Sequence, residues 1–593
     1  MSLLDKASLV LIPSGTKNGT VFCQKPTGVW EDSTGDYDGQ DGTGFNGQLD
    51  FTRASNATLV NSDGLIEKVR TNLLLQSSQF DTTWANVGTT ETGGQTGYDG
   101  SSDAWLLEKN AISGRIQQSI VSTELQTYSV YAKAGTLNWI LLSDNNGNGA
   151  YFDLSGSGAI GSTTSTITSA IQSIASGWFR CSVSANWNSF NFRIYPADGD
   201  NDTSGTSGSI YIQDAQLEAG DIATDYIPTT TSAVSVGPVS GSPRLDYLDS
   251  SYPRLLLEPQ RTNLATYSEQ FDNAAWSTSN VSIDSNVTTT TDPSGYNGSR
   301  LVTQGPSPSS GSFYRAFTFS ATKYTYSIFA KMDEVPFLSI GEASSGSGYP
   351  RKSWFNIQNG TLGTIDAAHT AKIENYGNGW YRCSISFTAT AGANSILNYL
   401  SDADYSGIST SNKGSYFWGA QLEEGSYPTS YIPTLSTSVT RIADACYKTG
   451  VSDVIGQTEG TIFVEAEFKS GYDSNNLLMT LSNTVFNSIY LNRKDGGLEA
   501  YIQNSGSTQM IYAGPVFTAG THKLALAYKA NDFAVYVDGT LVHSDTNGSV
   551  PSCNKLNLGT YYNESFPYND GISQALVFKT RLTNSELATL TSL

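Results

Sequence analysis

The sequence is short of charge, of basic residues above all, and of the residues that build metal and redox centres. Charged side chains make up 15% of the 593 residues, where ordinary soluble domains carry about 25%. Lys and Arg number 33 against 54 Asp and Glu, a net charge of -21. Such a field repels phosphate backbones and anionic membranes, which excludes nucleic acid as a partner. An acidic surface holds divalent cations or keeps a crowded particle soluble, and the second role needs nothing more than solubility physics. The five cysteines (Cys23, Cys181, Cys383, Cys446, Cys553) are odd in number and form no CxxC, and the three histidines (His369, His522, His543) lie far apart. A disulfide framework and a zinc site are therefore not expected. No apolar run reaches the ~18 residues that a spanning helix needs. Met1 to Lys6 does not open a signal peptide. The expectation is a soluble chain made in the cytoplasm, without membrane insertion or signal-directed export.

What fills the gap is Ser, Thr, Gly, Asn and Tyr, a mix suited to short strands and many turns rather than helices. Hydrophobic residues at 38%, with 11% aromatics, still suffice for several sheet cores. The Ser/Gly-rich run Ser307 to Ser312 is expected as a loop. The length predicts about three to five domains.

One long string occurs twice. Ala215-Gln216-Leu217-Glu218-Ala219-Gly220 precedes Asp225-Tyr226-Ile227-Pro228-Thr229; Ala420-Gln421-Leu422-Glu423-Glu424-Gly425 precedes Ser430-Tyr431-Ile432-Pro433-Thr434. Further pairs are Arg70-Thr71-Asn72-Leu73 with Arg261-Thr262-Asn263-Leu264, and Trp84 with Trp276. The run Gly177 to Ser184 likewise matches Gly379 to Ser386. The chain thus contains a duplicated module. In its second copy Tyr381, Cys383, Ile385 and Phe387 alternate with Arg382, Ser384 and Ser386, one face buried and one wet, as in an antiparallel sandwich. Cys181 and Cys383 fall on the buried face as small core side chains. The closing Ala-Gln-Leu-Glu and Tyr-Ile-Pro-Thr motifs read as structural.

The expected fold is all-β: two tandem jelly-roll β-sandwiches followed by a lectin-like β-sandwich. The expected divisions are an N-terminal region 1–68, jelly roll 1 at 69–235, a connector at 236–257, jelly roll 2 at 258–444 and the C-terminal domain at 445–593. Residues 1–68 are too few and too loop-rich, notably Gly28 to Gly47, for a core of their own, and are expected to pack on a neighbour, a partner chain or a larger assembly. In the C-terminal part Gly460 to Phe468, His522 to Tyr528 and Phe533 to Val537 alternate as strands, and Asp538-Gly539 predicts a hairpin. Thr583 and Glu586 predict a capping box, with Leu582 and Leu587 as a staple, for one helix at the end of the last sheet.

Phe51-Thr52-Arg53-Ala54-Ser55, Arg261 to Leu264, Gln270-Phe271 to Trp276, and Gly419 to Glu423 with its Tyr-Ile-Pro-Thr tail resemble bacteriophage head-fibre and tail-fibre proteins with carbohydrate-binding-module-like jelly rolls. The resemblance covers roughly residues 1–444. Residues 445–593 resemble a concanavalin A/laminin-G-like domain, carried by Gly460 to Phe468, Tyr536 to Gly539 and Phe578 to Leu587. These resemblances imply a virion surface protein of fibre or adhesin type that contacts capsid or tail proteins through its N-terminal region. They also imply homo-oligomers, trimers above all, and binding of host surface glycans.

Among site candidates, Tyr561, Tyr562, Asn563, Tyr568 and Asn569 form an aromatic, amide-rich stretch suited to a saccharide, since rings stack on sugar C–H faces and amides hold hydroxyls. Trp84, Trp276, Trp178 and Trp380 have the same chemistry, yet beside strand motifs they read as core. Asp198 and Asp200, with Asp402 and Asp404 in the second copy, and the Asp144 to Gly149 loop place oxygen donors where a structural Ca2+ would be held; no other cofactor is expected. No GxSxG, HExxH, P-loop or distinctive carboxylate pair occurs, so no enzyme is expected. The competing readings are a tailspike polysaccharide depolymerase and a purely structural decoration protein.

Overall fold

In the computed structural model the described residues are 3, 6–12, 16–17, 20–22 and 48–592, except 121–123, 165, 188–189, 286, 308–309, 344–349, 469–474 and 566. Cys23, the Gly28 to Gly47 loop and part of the Ser307 to Ser312 run fall outside them. The chain forms two compact units: Val69–Gly237 with Tyr296–Gly298, and the remaining segments Met1–Lys68, Pro238–Gly295 and Ser299–Leu593.

Each copy of the repeated module is a sandwich of two six-stranded antiparallel sheets. In the first, one sheet runs Thr168–Ser173, Trp178–Asn186, Leu125–Ala134, Ser209–Ala219, Ala104–Lys109, Thr89–Gln95. In the second copy the matching sheet runs Thr370–Asn375, Trp380–Thr388, Lys323–Met332, Gly414–Glu424, Arg300–Gln304, Val281–Asp284. The strand carrying Ala-Gln-Leu-Glu is last in chain order but lies inside its sheet. Alternation fills each core: Tyr128, Val130, Cys181 and Val183 in one, Tyr326, Ile328, Cys383 and Ile385 in the other, all fully buried. The four tryptophans read as core are buried too, and Trp84 and Trp276 donate Nε1–H to the carbonyls of Gln76 and Tyr267.

The duplicated strings are hydrogen-bond locks. Asn72 donates Nδ2–H to the carbonyls of Ala215 (3.1 Å) and Ile227 (2.8 Å) and accepts at Oδ1 from the amides of Leu74 and Leu217 (both 3.1 Å). Asn263 repeats all four bonds with Ala420, Ile432, Ala265 and Leu422. An amide side chain offers two donors and two acceptor positions, so both asparagines are saturated. Gln216 and Gln421 accept from the amides of Ile227 and Ile432, each at 2.7 Å, and Glu218 and Glu423 accept from Thr224 and Thr429. Buried polar groups fully paired in this way specify one backbone path. These residues are consumed by the fold and are not available to a ligand.

One lock differs between copies. The ladder slips by a bulge between Ser129 and Tyr131 in the first module and between Ser327 and Phe329 in the second. The bulged strand holds Gly419 at φ +60° in one copy and Asp214 at φ +52° in the other. A left-handed residue is cheap for glycine and strained for a buried aspartate. Burial chiefly, with Asp103 and Asp99 adding to it against the Tyr98 and Tyr226 hydroxyls, pushes the Asp214 carboxyl up to about 7.

The third sandwich is not confined to the C-terminal residues. Its eight-stranded sheet contains Arg244–Asp246, Arg254–Leu257, Asp570–Phe578, Glu459–Phe468, Gly520–Lys529, Phe533–Val537 and Thr540–Asp545. One edge of Asp570–Phe578 is shared by two distant segments: Leu9–Leu11 opposite Ala575 to Val577, and Arg254–Leu257 opposite Asp570 to Ile572. The facing nine-stranded sheet takes in Thr16–Lys17, Thr20–Phe22 and Gln48–Thr52, the last pairing with Ala445–Thr449. Leu9, Leu11, Val21, Leu49 and Phe51 sit in one core with Leu255, Leu257, Ile462 and Leu526. Each such side chain contributes about 1.5–3 kcal/mol by burial, enough to make the lead-in an integral part of this sandwich. The strands Leu9–Leu11, Thr16–Lys17, Thr20–Phe22 and Gln48–Thr52 of the lead-in thus pack on a neighbouring domain of their own chain, as do Arg244–Asp246 and Arg254–Leu257 of the connector, whereas Val60 and Ile66 pack with Trp380, Trp418 and Tyr431 of the second module. In chain order each module interrupts this sandwich, the first between Lys68 and Pro238, the second between Glu258 and Asp444.

The expected hairpin forms, with Asp538 and Gly539 at φ +46° and +80° joining Phe533–Val537 to Thr540–Asp545. The helix Asn584–Leu590 carries the capping box of Thr583 and Glu586. Leu582 and Leu587 pack with Phe463, Tyr536 and Leu576, so the helix covers the outer face of the eight-stranded sheet rather than its end.

Where the chain leaves and re-enters this sandwich, charges are buried. Arg53 donates to Asp444 (3.1 Å) and to the carbonyls of Pro238 and Val239. Arg244 reaches Asp444 and, at 2.6 Å, Glu258, which also faces Arg441 at 2.8 Å. All five side chains are almost wholly inaccessible. Burial raises the Glu258 carboxyl, but Arg441 and Arg244 outweigh it and hold it well below the usual carboxylate range.

The buried carboxylates of the network and of the first module's bulge give three testable expectations. Asp444→Asn leaves Arg53 without a carboxylate partner and Arg244 with Glu258 alone, and is expected to destabilise the second unit by about 3–5 kcal/mol; a stability within about 1 kcal/mol of wild type contradicts the network. Glu258 and Asp214 have opposite pH signatures. Glu258, depressed, contributes stability above its unfolded pKa of about 4.3 that is lost as pH falls further. Asp214, raised, is least costly below pH ~4, and stability of the first module falls between pH ~4 and 7 as the unfolded carboxyl releases its proton first. Asp214→Gly is expected to stabilise that module by about 1–3 kcal/mol at neutral pH and less at pH 4, read by amide hydrogen exchange; an unchanged pH profile refutes the assignment.

Candidate functional site

The outer face of the nine-stranded sheet carries the most favourable collection of binding groups. It begins in a second Asp-Gly hairpin, Asn487–Lys494 and Gly497–Asn504, closed by Asp495 at φ +50° and Gly496 at φ +81°. Ile489, Leu491, Leu498, Ala500 and Ile502 point into the core. Alternation then sends Ser488, Tyr490, Asn492 and Lys494, with Glu499, Tyr501 and Gln503, to the outside.

Register aligns these residues across five strand pairs. Tyr447 lies opposite Asn557, Asn557 opposite Thr480, Thr480 opposite Tyr490, Tyr490 opposite Tyr501, and Tyr501 opposite Ile511. Tyr490 and Tyr501 stack at 5.1 Å between ring centroids, 23° apart. Glu499 gathers Lys494 (2.7 Å), Asn492 (3.2 Å) and the Tyr490 hydroxyl (3.4 Å). Burial, with Glu499 beside it, pushes the Tyr490 phenol far up, so it remains a proton donor. Phe486, in the turn before Asn487–Lys494, is 61% exposed, and Ile511, in the edge strand Ser507–Val516, 50%. The face thus offers ring surfaces, phenol hydroxyls and the Lys494 ammonium, held from beneath by the buried Glu499 carboxylate and Asn492 amide.

The predicted saccharide residues divide. The loop after Lys555–Leu558 folds over one half of this face: Thr480 Oγ1 donates to the Thr560 carbonyl (3.1 Å), and the Tyr561 hydroxyl donates to Val485 (3.0 Å). Tyr561 meets Tyr490 edge-on at 5.9 Å. Lys555 donates to the Tyr562 carbonyl (2.9 Å) and sits 5.1 Å over the Tyr562 ring. Asn563 is exposed at the loop tip. Tyr561, Tyr562 and Asn563 therefore border the face. Tyr568 and Asn569 do not: Tyr568 is in the sandwich core with its hydroxyl on the Glu467 carbonyl, and Asn569 is buried where the chain enters Asp570–Phe578. Sequence reading passed over Phe486, Tyr490, Glu499 and Tyr501, although their alternation around Asp495-Gly496 was the available signal.

The predicted cation ligands are not gathered. Asp198 pairs with Lys109 and accepts from the Gly205 amide; Asp200 accepts from Ser162 N (2.6 Å) and Oγ (3.0 Å). Asp402 accepts from Thr410 Oγ1 (2.6 Å), and Asp404 from Thr364 N (2.7 Å) and Oγ1 (2.9 Å). Asp144 closes its own loop on the amides of Asn146 and Asn148, both at 2.8 Å. Among the described residues no group of three or more Asp, Glu, His or Cys is placed to hold a metal ion.

Fold and face together define a multi-domain, all-β sandwich protein. No family model and no curated protein matches the chain. Among solved structures it is similar to the CBM40 of Ruminococcus gnavus IT-sialidase bound to α2,3-sialyllactose, at 16% identity and a TM-score of 0.21, over 23% of this chain and 84% of that one. It is also similar to the Streptococcus pneumoniae NanB sialidase (17%, 0.22, covering 25% and 26%) and to the botulinum neurotoxin serotype D binding domain (12%, 0.21, covering 25% and 39%). Each of these likenesses spans a quarter of the chain or less.

Proposed function

We propose that this chain is a bacteriophage virion surface protein of fibre or adhesin type that binds host surface glycans. The observation that carries the binding half is the open part of the outer face, Tyr490, Tyr501 and Ile511 beside the Glu499, Asn492 and Lys494 network. A pyranose ring presents C–H groups on one side and hydroxyls around its rim. Tyrosine rings take the first, and the Tyr501 hydroxyl and the Lys494 ammonium, positioned by the buried Glu499 and Asn492, take the second. The phage half is supported by the resemblance of the duplicated strings to fibre proteins. In this reading the protein is made in the host cytoplasm and assembled as a homo-oligomer, trimers above all, on capsid or tail. It binds without cleaving. A single shallow face binds weakly, and multiple copies on one particle raise avidity by about 10² to 10⁴.

The test is a glycan array probed with the assembled oligomer, with Tyr501→Ala alongside. Binding of one glycan class, reduced at least about tenfold (about 1.4 kcal/mol) by Tyr501→Ala, is expected. No binding by the intact oligomer favours a decoration protein, and sustained release of reducing ends from host polysaccharide favours a depolymerase.

A further inference from the structure

The duplication supplies an internal control for one surface loop. After Phe190–Ala197 the first module makes a turn in which the Asp202 amide donates to the Gly199 carbonyl and Asn201 sits at φ +54°. After Gly392–Ser401 the second module makes the same turn: the Ser406 amide donates to the Ala403 carbonyl, and Tyr405 sits at φ +56°. The anchors match as well, Asp200 on Ser162 N and Oγ and Asp404 on Thr364 N and Oγ1. The left-handed region is tolerated by asparagine and disfavoured for a bulky aromatic residue. The backbone is the same; only the residue is wrong for it.

The tyrosine is not compensated by burial. The residue is 74% exposed, its ring centroid 5.2 Å from that of Trp354, whose Nε1–H donates to the Ser406 carbonyl (2.9 Å). The second module's loop is also longer, returning at Ile408 rather than directly, and Ile408 is 54% exposed. An exposed ring on strained backbone, braced from beneath by a buried tryptophan and flanked by an exposed aliphatic group, is an arrangement folding alone does not call for. Around it are the exposed Asp402 and Asp404 carboxylates and the Thr410 hydroxyl.

We propose that the Tyr405 loop is a second sugar-stacking platform, taking the apolar face of a neutral pyranose, hexose or N-acetylhexosamine. The ring supplies the stacking surface and Asp402, Asp404 and Thr410 accept from rim hydroxyls. Two adjacent carboxylates, on a chain of net charge -21, exclude sialic and uronic acids from this loop. The inference rests on the reading of the chain as a glycan binder and adds a site separate from the tyrosine face.

The test uses the full chain and a panel of neutral hexose and N-acetylhexosamine oligosaccharides, with sialylated and galacturonate oligomers as acidic counterparts. Binding is followed by saturation-transfer NMR and titration, and stability by thermal unfolding. Tyr405→Asn installs the residue the first module uses, so it is expected to melt at or above the wild-type temperature while affinity for the neutral ligand falls about tenfold or more. Tyr405→Phe is expected to retain binding. Ile408→Ser, which leaves the turn intact, is expected to weaken it severalfold. Neutral binding unchanged in Tyr405→Asn but abolished in Tyr501→Ala overturns this platform and leaves the proposed function standing. A preference of the Tyr405-dependent site for acidic sugars, or destabilisation by Tyr405→Asn, also overturns it. Failure of the wild-type chain to bind any member overturns both.

Discussion

The buried network of Arg53, Arg244, Arg441, Glu258 and Asp444 is the interaction on which the rest depends. Each member lies at a junction. Arg53 precedes the first module and Arg244 follows it; Glu258 precedes the second, and Arg441 and Asp444 follow it. Charges already stripped of water are expensive to leave unpaired, so the network tolerates only the arrangement in which all four junctions meet. Backbone bonds reinforce it, for the Glu258 amide donates to Asp444 Oδ2 and the Asp444 amide to the Glu258 carbonyl. The module necks are narrow: Arg70–Asn72 pairs with Val234–Val236, and Arg261–Asn263 with Val439–Arg441. The modules are thus inserts in one discontinuous sandwich, and that sandwich carries the tyrosine face.

Much of this was legible in the sequence, and what was not has physical reasons. Long strands with strict alternation, such as Trp380–Thr388 and Glu459–Phe468, declare themselves, and the Asp538-Gly539 turn and Thr583/Glu586 cap rest on local chemistry. Leu9–Leu11 does not, because three residues carry no period and its partner strand lies at the other end of the chain, Leu9 against Val577. Nor does a sequence show that Arg53 or Asp444 is buried, since charged residues are mostly exposed. In the site, Tyr561 and Tyr562 were legible as exposed loop aromatics. Tyr568 and Asn569 look the same in sequence, but the next residues enter Asp570–Phe578 and draw them into the core.

The two modules separate what the fold requires from what it leaves free. Asn72 and Asn263, Gln216 and Gln421, and Glu218 and Glu423 make the same bonds in both. Such residues count the modules and carry no specificity. Differences between the copies fall where the backbone is shared but the side chain is not: Asp214 against Gly419 at the bulge, and Asn201 against Tyr405 at the turn. Strained positions occupied by chemically active side chains are where function is sought on a duplicated scaffold.

Three separated segments build one sandwich. The direct test compares residues 445–593 alone with a single chain in which residues 1–68, 238–261 and 441–593, which retain all five network residues, are joined by short turns in place of the modules. Paired necks bring the ends close enough for such turns. A cooperative thermal transition and dispersed amide spectra are expected for the three-segment chain, and neither for residues 445–593 alone. Cooperative unfolding of 445–593 by itself, at the same temperature as the three-segment chain, would contradict it.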